Sequence, residues 1–373
     1  MESSPSTAEA PGAVYVLSDR AGAARDGHEY ATLTALASRL ARIQHLPYGG
    51  HCGSGPSQAH AYYVPESTLT TAEAARRGIT SRHDLYGGIV PHAFVATKVV
   101  THTALDPSET PRGWVDGLGD ELADTVLPGF AFFSAAAARA AFERLSPQGP
   151  LRLKLARGVG GRGQFHVRDA AGLEQALDAI ARDELQQHGA TLELELHDAT
   201  TYSIGMVECR EHGIVYVGRQ YTTLNSEGDE VYGGSDLWVS ADGWDALLAS
   251  ASAPVRQAVE KALTYDRIQH DAYPGLLASR RNYDVVRGVD AGGVERLGVL
   301  EQSWRIGGAT PAELRAIEAF AADPSVRLVR ASCHEAHGEH APPADCDVHY
   351  RGCDPRWGLI TKYSRLRAHG HTP

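Results

Sequence analysis

The sequence predicts an α/β protein of two or three lobes, on three observations. A chain of 373 residues exceeds what one ordinary hydrophobic core supports. Its N-terminal part alternates short β-like runs with helical spacing. Its later part carries two chemically unusual hairpins, a strand–glycine loop–strand running from Lys154 to Gly163 and an apolar strand pair bearing Asp284 and Glu301.

The elements follow in order. Residues 1–12 are rich in Ser, Ala and Pro, with no basic start or apolar stretch, and read as a disordered lead rather than a signal peptide. Residues 13–18 form a strand. Leu33, Leu36, Leu40 and Ile43 then fall at helical spacing, and the glycines at 49–53 break the pattern. Residues 70–77 make a short helix, and 91–103 place Lys98 in an apolar run. Residues 134–145 are the clearest helix, capped by Ser134 and filled with alanine. Strands at 151–155 and 164–168 flank the glycine loop, and one helix is expected over about 171–188. Strands follow at 191–196, 201–207 and 214–220, then a turn at 225–229. Residues 232–236 read as a turn or as lining for an acceptor pocket. A helix at 254–265 leads to a hairpin within 278–306, a helix at 311–320 and a His/Cys-rich tail.

Composition narrows the function classes. The net charge of −11 argues against a nucleic-acid or anionic-membrane surface, so positive charge must be local. Lys154, Arg157 and Arg162 supply it around the loop. No window is long and apolar enough to span a bilayer. Cys52, Cys209, Cys333, Cys346 and Cys353 are odd in number and scattered, which suits reduced thiols in a cytoplasm. A zinc site on the tail (Cys333, His334, His337, His340, Cys346, His349, Cys353) lacks paired Cys-x-x-Cys spacing, and an exposed His-rich tail is the favoured reading. Cys52 beside His51 reads as a small residue in a loop before it reads as a reactive thiol.

The two hairpins carry the chemistry. Lys154 precedes the glycines Gly158, Gly160, Gly161 and Gly163, whereas a P-loop lysine closes its loop and is followed by Ser or Thr. A strand follows the loop, whereas a dinucleotide fingerprint needs a helix there. Strand–loop–strand describes a flap whose backbone N–H groups meet phosphate oxygens. In the second hairpin, with its turn at Asp290–Gly293, Asp284 falls opposite Val299 or Glu301. Either register puts Asp284, Glu301, Asn282 and Ser303 on one face. Carboxylates that close repel unless a cation joins them, and oxygen-only ligands suit Mg²⁺ shared with phosphates. Arg305 follows two residues later, suited to fork onto a phosphoryl or carboxylate group.

The order of these parts resembles the ATP-grasp superfamily, and a bacterial branch carrying the same GGRGQ, SRRNYDV and LEQSWRIGG segments. The resemblance covers roughly residues 91–320. It implies an α/β pre-ATP-grasp domain at 13–130, a central lid-like subdomain at 131–222 and a C-terminal α+β lobe at 223–373. It implies that Lys98 and Lys154 hold ATP phosphates under the glycine flap. Glu193 and Glu195 would lie on the strand meeting adenine and ribose, with their division of labour open. Asp284, Glu301 and Ser303 would hold Mg²⁺, and Arg305, with Arg280 or Arg281, would stabilise an acyl phosphate. Two positions depart from the superfamily pattern: Ser303 stands where asparagine is usual, and Asn282 where a basic residue is common. The implied activity is an ATP- and Mg²⁺-dependent ligase joining a small carboxylic acid to an amine or thiol. The alternatives are a kinase-like protein or a non-catalytic nucleotide binder. A homodimer would be usual for the superfamily.

Overall fold

The structure, a computed structural model, describes residues 12–19, 27–53, 61–158 and 163–367, so nearly all of the N-terminal lead lies outside it. Three parallel strands, β1 (Ala13–Leu17), β2 (Tyr48–Cys52) and β3 (Ala61–Pro65), form the first sheet in the order β2-β1-β3. Parallel neighbours need a crossover, and α1 (His28–Ile43) supplies one between β1 and β2. Its Leu33, Leu36 and Leu40 are at most 5% exposed; burying a side chain of that size contributes about 1.5–3 kcal/mol. Gly27, at the N-cap, has no side chain to cap this helix. The carboxylate of Asp354 accepts the His28 N–H instead, at 2.9 Å and 326 residues away in sequence. Next come β4 (Leu69–Thr70), α2 (Thr71–Arg76), which starts with a reciprocal Thr70–Glu73 cap, and β5 (Gly88–Val90).

Two 3₁₀ turns, Ala93–Ala96 and Lys98–Thr101, and a short helix, α3 (Leu118–Leu122), lead into the second sheet. Its strands are β6 (Gly129–Phe132), β7 (Leu151–Leu155), β8 (Gln164–Val167) and β9 (Ala190–Leu194), antiparallel in the order β6-β9-β7-β8. Helices α4 (Ala135–Leu145), α5 (Ala170–Asp178) and α6 (Arg182–His188) contribute Ala138, Leu173 and Leu185 to the core on one face of it. The single helix expected over 171–188 is therefore two. Ile180 and Leu185 both enter that core, yet residues five apart point about 140° away from each other on a continuous helix. Breaking the helix brings both inward.

The third sheet is the largest. It contains β10 (His197–Cys209), β11 (His212–Leu224), β12 (Glu230–Ser240), β14 (Arg280–Val289), β15 (Glu295–Ser303), β16 (Leu328–His337), β17 (Asp347–Asp354) and β18 (Gly358–Arg367). All pairs are antiparallel, in the order β15-β14-β10-β11-β12-β16-β18-β17, while the short β13 (Leu277–Ala278) pairs with β5 instead. After α7 (Gly243–Leu248), α8 (Ala253–Ala272) covers one face, packing on Ile204, Tyr283, Val285 and Val299. On the other face α9 (Thr310–Ala322) and α1 meet Val207, Tyr216, Leu237, Ala331 and Cys333. The N-terminal lobe and the large sheet thus share one core.

Three expectations are corrected here. Residues 232–236 lie inside β12 and are not a turn. The helix expected over 254–265 extends to Ala272, because Ile268 and Gln269 continue its buried stripe. The expected exposed tail is β16 to β18, since Val329, Ala331 and Cys333 alternate inward with period two. Among the described residues, no helix is long and apolar enough to cross a membrane.

Candidate functional site

The hairpin of β14 and β15 sets the geometry. Asn282 pairs with Ser303 and Asp284 with Glu301, so these four share a face. The next pair is Val285 with Val299, one residue out of step. Leu300 is the extra residue of a β-bulge. In a regular strand, alternation over Val299, Leu300 and Glu301 would put Val299 and Glu301 on the same face. With it, Val299 enters the core under α8 while Glu301 turns to the cleft.

Asp284 accepts hydrogen bonds from Gln220 and, at 3.0 Å, from Asn282. Burial first, and the Glu301 carboxylate second, push its carboxyl up to about 7. The pair therefore carries more negative charge than its surroundings tolerate, and an all-oxygen donor set of this kind fits Mg²⁺. Lys98 already supplies one positive charge: its ammonium pairs with Glu301 and donates to the Gly158 carbonyl. The 3₁₀ turn carrying Lys98 is wedged between β15 and the second sheet. Gln302 fixes that turn by donating to the Val95 and Thr97 carbonyls at 2.9 and 2.8 Å.

The second sheet turns Arg152, Lys154, Glu193 and Glu195 away from its helix-covered core, where Leu151, Leu153, Leu192 and Leu194 point. Lys154 pairs with Glu193, and both are almost fully buried. His102 stands beside them, 3.8 Å from Glu193, with its Nε2 3.0 Å from the Leu127 carbonyl. Burial lowers its pKa, which favours the neutral ring. Glu195 instead forks onto Arg152, with both oxygens at 2.6 Å. Gly158 begins the flap and Gly163 ends it; Gly160 and Gly161 lie outside the described residues. Gly163 has φ +69°, and an added Cβ would meet Leu155 at 3.2 Å, so glycine suits both its backbone and its space.

The arginines divide by face. Arg281 points to the α8 side, where it meets Glu208 and Asp266 at 3.0 Å each. It is not brought to the cleft, because alternation along β14 turns it away from Asn282 and Asp284. Arg280 is on the cleft side but 1% exposed, bonded to Glu313 at 2.6 Å. Its Nη1 reaches the Arg305 carbonyl at 2.6 Å, the Ser303 carbonyl at 3.2 Å and Ser303 Oγ at 3.3 Å. Arg305 donates to the Ile306 carbonyl at 2.8 Å. Among the described residues it makes no ion pair within 4.0 Å, leaving most of its guanidinium for a ligand.

Sequence reading missed the buried web behind these groups. Glu313, 0% exposed, accepts from Tyr86 at 2.5 Å and lies 2.6 Å from the Tyr216 hydroxyl, which also lies 2.7 Å from Asn282 Oδ1. Burial tends to raise the Glu313 pKa, but Arg280 and the two hydroxyls overcome this and keep it ionised. In sequence Glu313 looks like an ordinary first-turn acid of a helix, and no local signal marks its role. Among the described residues, no cluster of three His, Cys, Asp or Glu side chains is arranged to hold a metal ion. A cation at Asp284 and Glu301 would therefore complete its shell from water or phosphate oxygens, the usual habit of Mg²⁺.

The family described as "Protein of unknown function (DUF3182)" matches residues 16–364. No curated protein matches the chain. Among solved structures, phosphoribosylamine–glycine ligase from Thermotoga maritima is similar over 96% of this chain and 93% of its own, with TM-score 0.50 and 12% identity. D-alanyl-alanine synthetase A from Vibrio cholerae is 10% identical, over 84% of this chain and 98% of its own, at TM-score 0.46. D-cycloserine synthetase DcsG is 12% identical, over 83% and 99%, at 0.48. The likeness to the first of these is one of fold, and the fold is that of the ATP-grasp superfamily.

Proposed function

Since the chain belongs to the family described as "Protein of unknown function (DUF3182)" and has the ATP-grasp fold, we propose that it is an ATP- and Mg²⁺-dependent ligase. Its substrates would be a small carboxylic acid and an amine or thiol. The observation that carries this reading is the bulged hairpin, which pairs Asp284 with Glu301 across from Lys98, with Arg305 just beyond.

Phosphoryl transfer needs alignment and charge neutralisation more than a protein nucleophile. Lys98, at the flap root, and Lys154 would take the nucleotide phosphates, each exchanging a carboxylate partner for a phosphate oxygen. Glu193, between Lys154 and His102, would face the nucleoside with Glu195 beyond it. Asp284 and Glu301 would hold Mg²⁺, which when bound draws charge from the phosphate oxygens. The substrate carboxylate attacks the γ-phosphorus, ADP leaves, and the acyl phosphate forms. Arg305 would fork onto that anion. The amine or thiol then adds to the acyl carbon and phosphate departs. Arg280 would support this by holding the Ser303–Arg305 backbone.

The domain division is likewise a proposal. It would comprise residues 13–130, a central unit that ends between Leu194 and His197 rather than at 222, because β10 and β11 hydrogen-bond into the large sheet, and a C-terminal lobe beyond it. All five cysteines are free thiols, which fits a reducing cytoplasm.

Calorimetric titration of ATP, with and without Mg²⁺, tests the reading on wild type and Glu301→Ala. The expected result is Mg²⁺-dependent binding that the substitution weakens about tenfold or more. Absence of binding by the wild type would overturn it.

A further inference from the structure

We propose that this site takes a single divalent cation, between Asp284 and Glu301, and that Arg280 stands where a second ion would otherwise use Ser303. The inference rests on the ATP-grasp ligase reading and goes beyond it, since phosphoryl-transfer sites use either one or two metal ions.

Four oxygen-bearing side chains share the cleft face of the hairpin: Asn282, Asp284, Glu301 and Ser303. Two of them are committed to protein partners. Asn282 Oδ1 meets Ser203 Oγ at 2.8 Å and the Tyr216 hydroxyl at 2.7 Å, while its amide N–H₂ donates to Asp284. It therefore presents donors, not lone pairs, to the metal side. Ser303 Oγ accepts from Arg280 Nη1 at 3.3 Å.

An Mg²⁺ ion ligated by Ser303 Oγ would sit about 2.1 Å from that oxygen. That places it roughly 5.4 Å or less from a guanidinium nitrogen of like charge, in a poorly solvated setting. Arg280 cannot swing aside. Its Nε is 3.2 Å from both Glu313 oxygens, its Nη2 is 2.6 Å from one, and its Nη1 is held by the Arg305 carbonyl. The whole side chain is 1% exposed and its partner 0%. The remaining ligands, Asp284 and Glu301, bring two negative charges, one already shared with Lys98. A single divalent ion meets that demand.

The test counts ions rather than turnover. Mn²⁺ is titrated into the full chain with a non-hydrolysable ATP analogue, and bound Mn²⁺ is followed by electron paramagnetic resonance. One Mn²⁺ per nucleotide complex, unchanged in number and within about threefold in affinity in Ser303→Ala, supports the proposal. Asp284→Asn is expected to lose that ion. Two bound ions with spin-coupled spectra, or loss of an ion from Ser303→Ala, would overturn the single-ion count while leaving the ligase reading intact. Absence of any nucleotide-dependent Mn²⁺ would overturn both.

Discussion

At the scale of single residues, buried charge sets the sharpest expectations. Glu313 and Arg280 are both buried and mutually bonded, so removing only one leaves an uncompensated charge. Glu313→Ala should cost about 3–5 kcal/mol in chemical denaturation, and Arg280→Met combined with Glu313→Leu should recover most of it. A double variant no more stable than the single would refute the pairing argument. Glu335 gives the acid limb of the stability profile. Burial alone would raise its pKa, but the His337 ring, 3.7 Å away, and the Lys362 ammonium, 2.8 Å away, bring it down to about 2. A depressed carboxyl contributes stability above its unfolded value, near pH 4.5, and loses it as pH falls toward the folded value. The contribution at neutral pH is about 3 kcal/mol. Glu335→Gln should flatten denaturation midpoints between pH 5 and pH 2 relative to wild type, about where the two values lie. Little of this web could be read in the sequence. Glu313 meets Arg280 across 33 residues and Tyr216 across 97, and pattern reading sees only neighbours. The carboxylate pair was legible because its two halves sit on adjoining strands with a short turn between.

Among elements, the flap and the bulged hairpin make separate claims. Gly163→Ala would force an L-residue to φ +69° against Leu155. It should cost about 1–2 kcal/mol and weaken ATP binding, with calorimetry and melting measured on one preparation. Deleting Leu300 is expected to be tolerated. Without the extra residue the ladder becomes regular, and Val285–Val299 and Asp284–Glu301 remain partners. Mg²⁺-dependent ATP binding should survive; its loss would refute the regular register expected of the shortened strand. Strict alternation offered two registers from sequence, opposite Val299 or opposite Glu301. The bulge is how the chain keeps Asp284 opposite Glu301 while sending Val299 into the core, and no residue type announces it. The tail was misread for a different reason. Its histidines and cysteines drew attention as composition, while Val329, Ala331 and Cys333 were already alternating as a strand.

For the whole molecule, the C-terminal strands are expected to be indispensable. β17 and β18 finish the large sheet, and Arg39 of α1 pairs with Asp347 of β17. A chain ending at residue 345 would lose both strands. It should show amide exchange approaching unfolded rates even in α1 and β1, hundreds of residues from the cut. Persistent protection of the N-terminal lobe would contradict the shared core. The distant cap on α1 also has a consequence in time. Helix α1 depends on a carboxylate made 326 residues later. At about 5–20 residues per second, that is a wait on the order of tens of seconds. During it, the helix has neither its cap nor its contacts with α9 and β17. This lobe is thus completed long after it is synthesised, and nascent chains halted before Asp354 should be the ones that chaperones hold.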